Sequence, residues 1–217
     1  MWEVGNLIPT KEEWYQALAE RHGEAAQKRF ASATVAICGL GGLGSNIAIA
    51  LARAGIGNLI LIDFDKVDIT NLHRQQYKAA QIGMYKTDAL RDNLLEIAPY
   101  VALETHSVRI TDKNAKGFLE KADIICEAFD NPEYKAMLTN LVLERIPEKY
   151  LIAASGMAGM GSANTIKTRR VLKRLYICGD EQSDVQSEGS LVSSRVMLCA
   201  AHQAHTVLRI LTEQFET

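Results

Sequence analysis

Three neighbouring segments hold the residues whose types and spacing could do chemistry. Gly39-Leu40-Gly41-Gly42-Leu43-Gly44-Ser45 follows one β-branched apolar run, Asp63-Phe64-Asp65 follows a second, and Asn71-Leu72-His73-Arg74-Gln75 comes shortly after. Glycines after a strand and before a helix let the backbone turn and approach a phosphate, while the helix N-terminus offers unpaired N–H groups and a partial positive charge. Gly39, Gly41 and Gly42 are the candidates for that turn, and Gly44 for close packing of the helix. Asp63, nineteen residues beyond Gly44, stands where an acidic side chain accepts hydrogen bonds from ribose hydroxyls. Asp65 joins it as a candidate for the nucleotide site.

The third segment separates two chemistries. Hydride transfer needs a nicotinamide pocket and gains little from cations beside the phosphates. Nucleotidyl transfer builds charge on the α-phosphate oxygens and on the departing pyrophosphate, so preorganised cations and a divalent metal supply much of the catalysis. Arg74 offers a planar fork for a phosphate, and Asn71 and Gln75 are neutral donors beside it. Lys86 stands near the start of an expected helix, where a cation opposes the helix dipole. A phosphate contact would account for that placement, and a solvated surface lysine is the plain alternative. Asp130, at the end of an expected strand, would face the ligand crevice and could hold Mg²⁺, or it could cap the next helix.

These residues need a scaffold, and the chain alternates strand-like and helical patterns. Strands are expected at 34–38, 58–62, 101–108, 123–126 and 150–153, with helices at 45–54, 84–97, 132–143 and 191–211. Asn131 and Pro132 open the third of these helices as cap and first residue. Between 162 and 177 the period moves towards two, which suggests a late antiparallel pair, and 179–189 reads as a polar loop. The expectation is an α/β fold, a Rossmann-like, mainly parallel twisted sheet with helices on both faces and a long C-terminal helix. No linker divides residues 1–217, which read as one domain: an N-terminal helix at about 10–30, a nucleotide-binding core at about 31–155, and a crossover region at about 156–217.

Composition narrows the class. A formal net charge of −2 leaves no basic excess for nucleic acid. Met1-Trp2-Glu3-Val4-Gly5 lacks the basic start and apolar core of a signal peptide, and the most apolar stretch, 46–62, is broken by Arg53, Gly55, Gly57 and Asn58. No membrane span is expected. The four cysteines at 38, 126, 178 and 199 form no Cys-x-x-Cys pair, which suits a reducing cytoplasm.

Taken together, the Gly-Leu-Gly-Gly-Leu-Gly-Ser loop, Asp63-Phe64-Asp65, Asn71-Leu72-His73-Arg74-Gln75, Gly83 with Lys86, and Asp130-Asn131 resemble the ThiF/MoeB/HesA family, bacterial relatives of the ubiquitin-activating enzymes. The resemblance covers roughly residues 20 to 212. Gln75-Gln76-Tyr77, the 153–159 segment and Ala200-Ala201-His202-Gln203 are similar to the short branch of the thiamine-biosynthesis adenylyltransferases. The resemblance implies ATP and Mg²⁺ as ligands, with Asp63 on the ribose and the glycine loop on the phosphates. Asn71, Arg74, Gln75 and Lys86 would neutralise the triphosphate and Asp130 would place the metal. The implied substrate is the C-terminal Gly-Gly carboxylate of a small ubiquitin-like sulfur carrier such as ThiS. A homodimer is implied too, with an N-terminal arginine reaching across it; Arg21 is the candidate. The apolar side of the terminal helix and the N-terminal helix would form the interface.

The chain departs from longer members at their zinc site, built from two Cys-x-x-Cys pairs. Only Cys178 stands near the first of these, so no zinc is expected. Cys199, His202 and His205 are spaced by three, and that set reads as helix core and surface. No cysteine lies between Asp180 and Ser190, where several relatives carry a reactive one, so adenylation without a covalent thiol step is expected, with Cys38 and Cys178 buried and inert. Other readings stay open: the same chemistry on a molybdopterin carrier, a peptide C-terminus or a tRNA base, an NAD-dependent oxidoreductase, and a non-catalytic scaffold.

Overall fold

The apolar β-branched runs form a seven-stranded sheet in the computed structural model, which describes residues 8–216; Met1–Gly5 lie outside the described residues. Five parallel strands lie in the order β3 (Ala102–His106), β2 (Asn58–Ile62), β1 (Thr34–Cys38), β4 (Ile124–Glu127), β5 (Tyr150–Ala154). β7 (Leu175–Gly179) continues parallel to β5, and β6 (Lys167–Leu172) closes the edge antiparallel to β7. The chain runs outward from β1 to β3, then returns to the other side of β1 as β4. That reversal opens a crevice at the C-terminal ends of β1 and β4, the place where such sheets bind ligands.

Alternation along the strands builds two cores. Val35, Ile37, Leu59 and Leu61 face α3 (Gly42–Arg53), α4 (Lys86–Ile97) and α8 (Ser193–Leu211), whose Ile47, Leu51, Leu90, Leu94, Cys199 and Val207 are buried against them. Ala36, Cys38, Ile60 and Ile62 face the opposite layer, α5 (Ala115–Leu119) and α6 (Pro132–Arg145), through Leu119, Leu138, Leu141 and Val142. The parallel strands are therefore apolar on both faces, as a covered sheet requires. The expected α/β architecture is the one observed.

Several boundaries differ from the sequence expectation. The single N-terminal helix is two, α1 (Lys11–His22) and α2 (Glu24–Ser32), because Gly23 adopts φ +85° between them. Thr10 and Glu13 form a reciprocal cap at the start of α1. α3 begins at Gly42 rather than Ser45, so the last loop glycines are its first turn. α5 was not foreseen, and the polar loop contains a short helix, α7 (Val185–Glu188), capped by Asp184. The apolar side of α8, expected at a dimer interface, is packed on α3 and β5 instead. Among its large apolar side chains Met197 remains exposed. No helix among the described residues is long and apolar enough to cross a membrane.

Candidate active site

The crevice between β1 and β4 is a cleft of about 870 Å³, within the usual range for small-molecule sites. Its floor is the glycine turn. Gly39 adopts φ +92° and runs so close to β4 that an added Cβ would stand 2.8 Å from the Ala128 carbonyl oxygen. An added Cβ on Gly44 would fall 1.8 Å from the Gly39 carbonyl oxygen. Gly44 thus folds the loop on itself, and Gly39, Gly41 and Gly42 line the cleft. Gly41 precedes α3 without a side-chain cap, which leaves the first-turn N–H groups of a twelve-residue helix directed at the cleft.

Asp63 ends β2 beside this turn. Its Oδ2 accepts from the Leu40 N–H at 2.6 Å and its Oδ1 from the Asp65 N–H at 2.8 Å. Burial raises its carboxyl above the usual range, while Lys86 and the two N–H donors pull it partly back. Each oxygen keeps a further lone pair for a ligand hydroxyl. Lys86 is the first residue of α4 and its side chain is only 7% exposed. Nζ donates to Asp65 Oδ2 at 2.9 Å and lies 4.0 Å from Asp63 Oδ2. The solvated-surface alternative for Lys86 is thereby overturned: two carboxylates draw the ammonium inward against the dipole.

Asn71, Arg74 and Gln75 line the same cleft. They are anchored to α3, since Asn46 Nδ2 donates to the Arg74 carbonyl at 3.3 Å and Ser45 Oγ accepts from the Gln76 N–H at 3.1 Å. Arg74 Nε and Gln75 Oε1 are buried and have no hydrogen-bond partner among the described residues. A buried polar atom left unpaired is costly, so their place beside a helix N-terminus fits a polar ligand. Asp130 is exposed at the cleft edge after β4. It does not cap α6; Asn131 does, accepting from the Glu133 and Tyr134 N–H groups. Its carboxylate is therefore open to a metal on the nucleotide. Among the described residues no three His, Cys, Asp or Glu side chains converge as a metal cluster.

Arg21 is not brought to the cleft. It is exposed on α1, which packs near Gly55 beyond the far end of α3. Cys38, Cys126, Cys178 and Cys199 are all buried, with burial pushing every thiol up, Cys178 to about 11. His205 is exposed and His202 bonds Thr168 at 2.9 Å.

Three residues of the site escaped the sequence reading. Glu127, fully buried in β4, accepts from Lys135 Nζ at 3.1 and 3.0 Å, and the same ammonium donates to the Ala154 carbonyl at 3.1 Å. An acidic residue inside the apolar run Ile-Ile-Cys-Glu demands a cation, and that was the available signal. Arg109 lies over the Phe64 ring at 4.3 Å and donates to the Tyr134 hydroxyl at 2.9 Å, forming the flank beyond Asp63. No local pattern marked Arg109, because its partners come from the segment after β2 and from α6.

The family model described as "ThiF family" matches residues 15–217. The adenylyltransferase and sulfurtransferase UBA4 of Lodderomyces elongisporus is 28% identical over 193 residues, 86% of this chain and 42% of the relative. The adenylyltransferase and sulfurtransferase MOCS3 of Culex quinquefasciatus is 33% identical over 143 residues, 65% and 32% of the two chains. The chain thus spans less than half the length of these relatives. Among solved structures, the tRNA N6-threonylcarbamoyladenosine dehydratase TcdA of E. coli, in complex with ATP, superposes with a TM-score of 0.84 at 21% identity, covering 96% of this chain and 98% of that one.

Proposed function

The chain belongs to the ThiF family, and from that premise we propose that it is a nucleotidyltransferase that uses ATP to adenylate a carboxylate. The observation that carries this reading is the buried Arg74 Nε–H, a donor without a partner among the described residues, beside the N-terminus of α3 and in one cleft with Lys86. That arrangement suits a triphosphate better than a nicotinamide.

In this reading Asp63 takes the ribose hydroxyls, and the glycine turn with the α3 N-terminus takes the phosphates. Arg74, with Asn71 and Gln75, stabilises the charge that passes to pyrophosphate. Lys86 neutralises the nucleotide next to Asp63 and Asp65. Asp130 would hold Mg²⁺ bound with ATP, whose charge further stabilises the leaving group. The substrate carboxylate is already ionised and needs no general base. Its oxygen forms a bond to the α-phosphorus as the bond to the pyrophosphate oxygen breaks, giving an acyl-adenylate and pyrophosphate.

We assign the acyl substrate as the C-terminal Gly-Gly of a ubiquitin-like sulfur carrier, with ThiS and thiazole synthesis as the specific case. Relatives named as adenylyltransferases and sulfurtransferases support the class. The motifs at 75–77, 153–159 and 200–203 support the branch. The protein would act in the cytoplasm as a homodimer, with Arg21 reaching the partner's cleft. A tRNA base is the second reading, favoured by the near-complete superposition on a tRNA-modifying enzyme.

Carrier-dependent exchange of labelled pyrophosphate into ATP tests the proposal. Exchange only with ThiS supports the assignment in full, and exchange with another Gly-Gly carrier moves the substrate. Mg·ATP binding with no exchange for any carrier, and AMP release with tRNA, supports the second reading.

A further inference from the structure

Arg195, in the first turn of α8, has a guanidinium buried to 7% exposure. Its Nη1 donates to the carbonyls of Gly161 at 2.8 Å and Ser162 at 2.7 Å. Nη2 donates to Thr165 Oγ1 at 3.1 Å and to the Asp180 carboxylate. Asp180 follows β7 and also accepts from the N–H groups of Gln182 at 2.9 Å and Ser183 at 2.8 Å, and from the Ser183 hydroxyl at 2.7 Å. Ser183 Oγ in turn accepts from the Ala158 N–H at 3.0 Å. One unbroken chain of hydrogen bonds therefore runs from Arg195 through Asp180 and Ser183 to Ala158.

The last two members of that chain reach the cleft, because Ser183 and Ala158 line it, along with Met157 and the 184–186 segment. The two segments are pressed together. An added Cβ on Gly156, at φ +76°, would stand 2.0 Å from Asp180 Oδ1, and one on Gly159, at φ +73°, 2.4 Å from Glu188 Oε2. Burial alone would raise the Asp180 carboxyl, but the Ser183, Gln182 and Arg195 donors outweigh it and hold it at about 2. A buried ion pair is seldom more stabilising than an apolar replacement; what this one adds is a defined position for three loop segments.

The cleft has two flanks. Beyond Asp63, on the β2–β3 side, stand Phe64, Val108 and Arg109, and a nucleotide with its ribose on Asp63 would put its base there. The wall held by the Arg195 relay follows β5 and β7, on the other side of β1 and β4 in the sheet order. A nucleotide with its ribose on Asp63 and its α-phosphate at α3 leaves this wall facing the acyl group. We propose that the Arg195–Asp180 pair is a positioning device for the acyl-substrate wall, fixing 157–158 and 183–186 in the register that guides the carboxylate to the α-phosphate, with no part in holding ATP. The inference rests on the adenylation reading.

Arg195→Lys and Asp180→Asn test it; Lys keeps the charge but cannot span four acceptors with three donors. Thermal melts establish that both variants fold. Mg·ATP affinity stays within about twofold of wild type, while KM for the Gly-Gly carrier rises about tenfold with kcat little changed. In the free protein, amide exchange across 157–165 and 180–189 quickens about tenfold, and the 39–44 turn keeps its protection. ATP affinity falling in step with carrier affinity, or amide exchange unchanged in both segments, overturns the inference. Absence of pyrophosphate exchange in the wild type with every carrier instead overturns the carrier assignment, and the amide-exchange and ATP arms still decide whether the pair pins this wall alone.

Discussion

Lys86 Nζ, on the first residue of α4, is held 2.9 Å from Asp65 Oδ2 at the foot of the ligand cleft. The same ammonium lies 4.0 Å from Asp63, whose carboxylate is buried and tied to the Leu40 N–H of the glycine turn. One cation thus serves both carboxylates of the pair proposed to meet the ribose. Lys86→Ala leaves Asp63 buried without that charge. The expected outcome is a loss of stability on the order of 2 kcal/mol, measured by urea unfolding. Adenylation drops by about 10²-fold, read by pyrophosphate exchange. Wild-type exchange in a folded variant would remove Lys86 from the mechanism.

Arg74→Ala removes the fork beside the α3 N-terminus. If Arg74 stabilises charge passing to pyrophosphate, kcat falls on the order of 10²-fold or more while Mg·ATP affinity changes far less. Arg74→Lys recovers only part of the rate, since an ammonium lacks the bidentate geometry. Equal loss of binding and turnover would instead make Arg74 a ground-state anchor.

Asp130→Asn keeps the shape of the β4 edge and, because Asn131 supplies the cap, leaves α6 intact. The expected effect is a higher Mg²⁺ requirement for turnover with nucleotide binding nearly preserved, read from exchange rates across a magnesium titration. An unaltered magnesium dependence contradicts the metal role.

The thiols provide a pH test. Burial raises all four, and pushes the Cys178 thiol up to about 11. Alkylation needs the thiolate, so a group whose pKa is raised stays protonated and inert at pH 8 and reacts only as pH climbs towards 11. Iodoacetamide at pH 8 should leave the native protein unlabelled by mass spectrometry and fully active. Rapid labelling that ATP blocks would restore a covalent thiol step.

Arg21 is exposed on α1 and away from its own cleft, so any role at the site runs through a second copy. If the protein is a homodimer with Arg21 acting in trans, mixing inactive Arg21→Ala and Lys86→Ala proteins restores about a quarter of the wild-type sites. Sedimentation of a monomer at micromolar concentration, with no rescue on mixing, withdraws the assignment.

Local pattern was enough for much of this molecule. The glycine turn, Asp63 and Asp130 were legible because each sits just beyond the C-terminal end of a strand, and strand ends are written in apolar runs that stop at glycine or acid; the Asn71-to-Gln75 segment was legible from its residue types. The α/β class followed from the same alternation. Helix starts were legible where a cap residue marks them, as at Asn131, and misplaced where none does, as at Gly42. What only the tertiary structure decided depends on groups far apart in the chain. Lys86 read as a phosphate contact or a solvated surface lysine, and its pairing with Asp63 and Asp65 could not be seen until the fold brought them within reach. Arg109 acquired its place from Phe64 and Tyr134, and Glu127 from Lys135. Arg195 and Asp180, in two stretches that read as helix and loop, became a buried pair only when α8 packed across the sheet. Hydrophobic periodicity reports which face of an element is covered; the partner that a buried charge must find is set by how the elements pack.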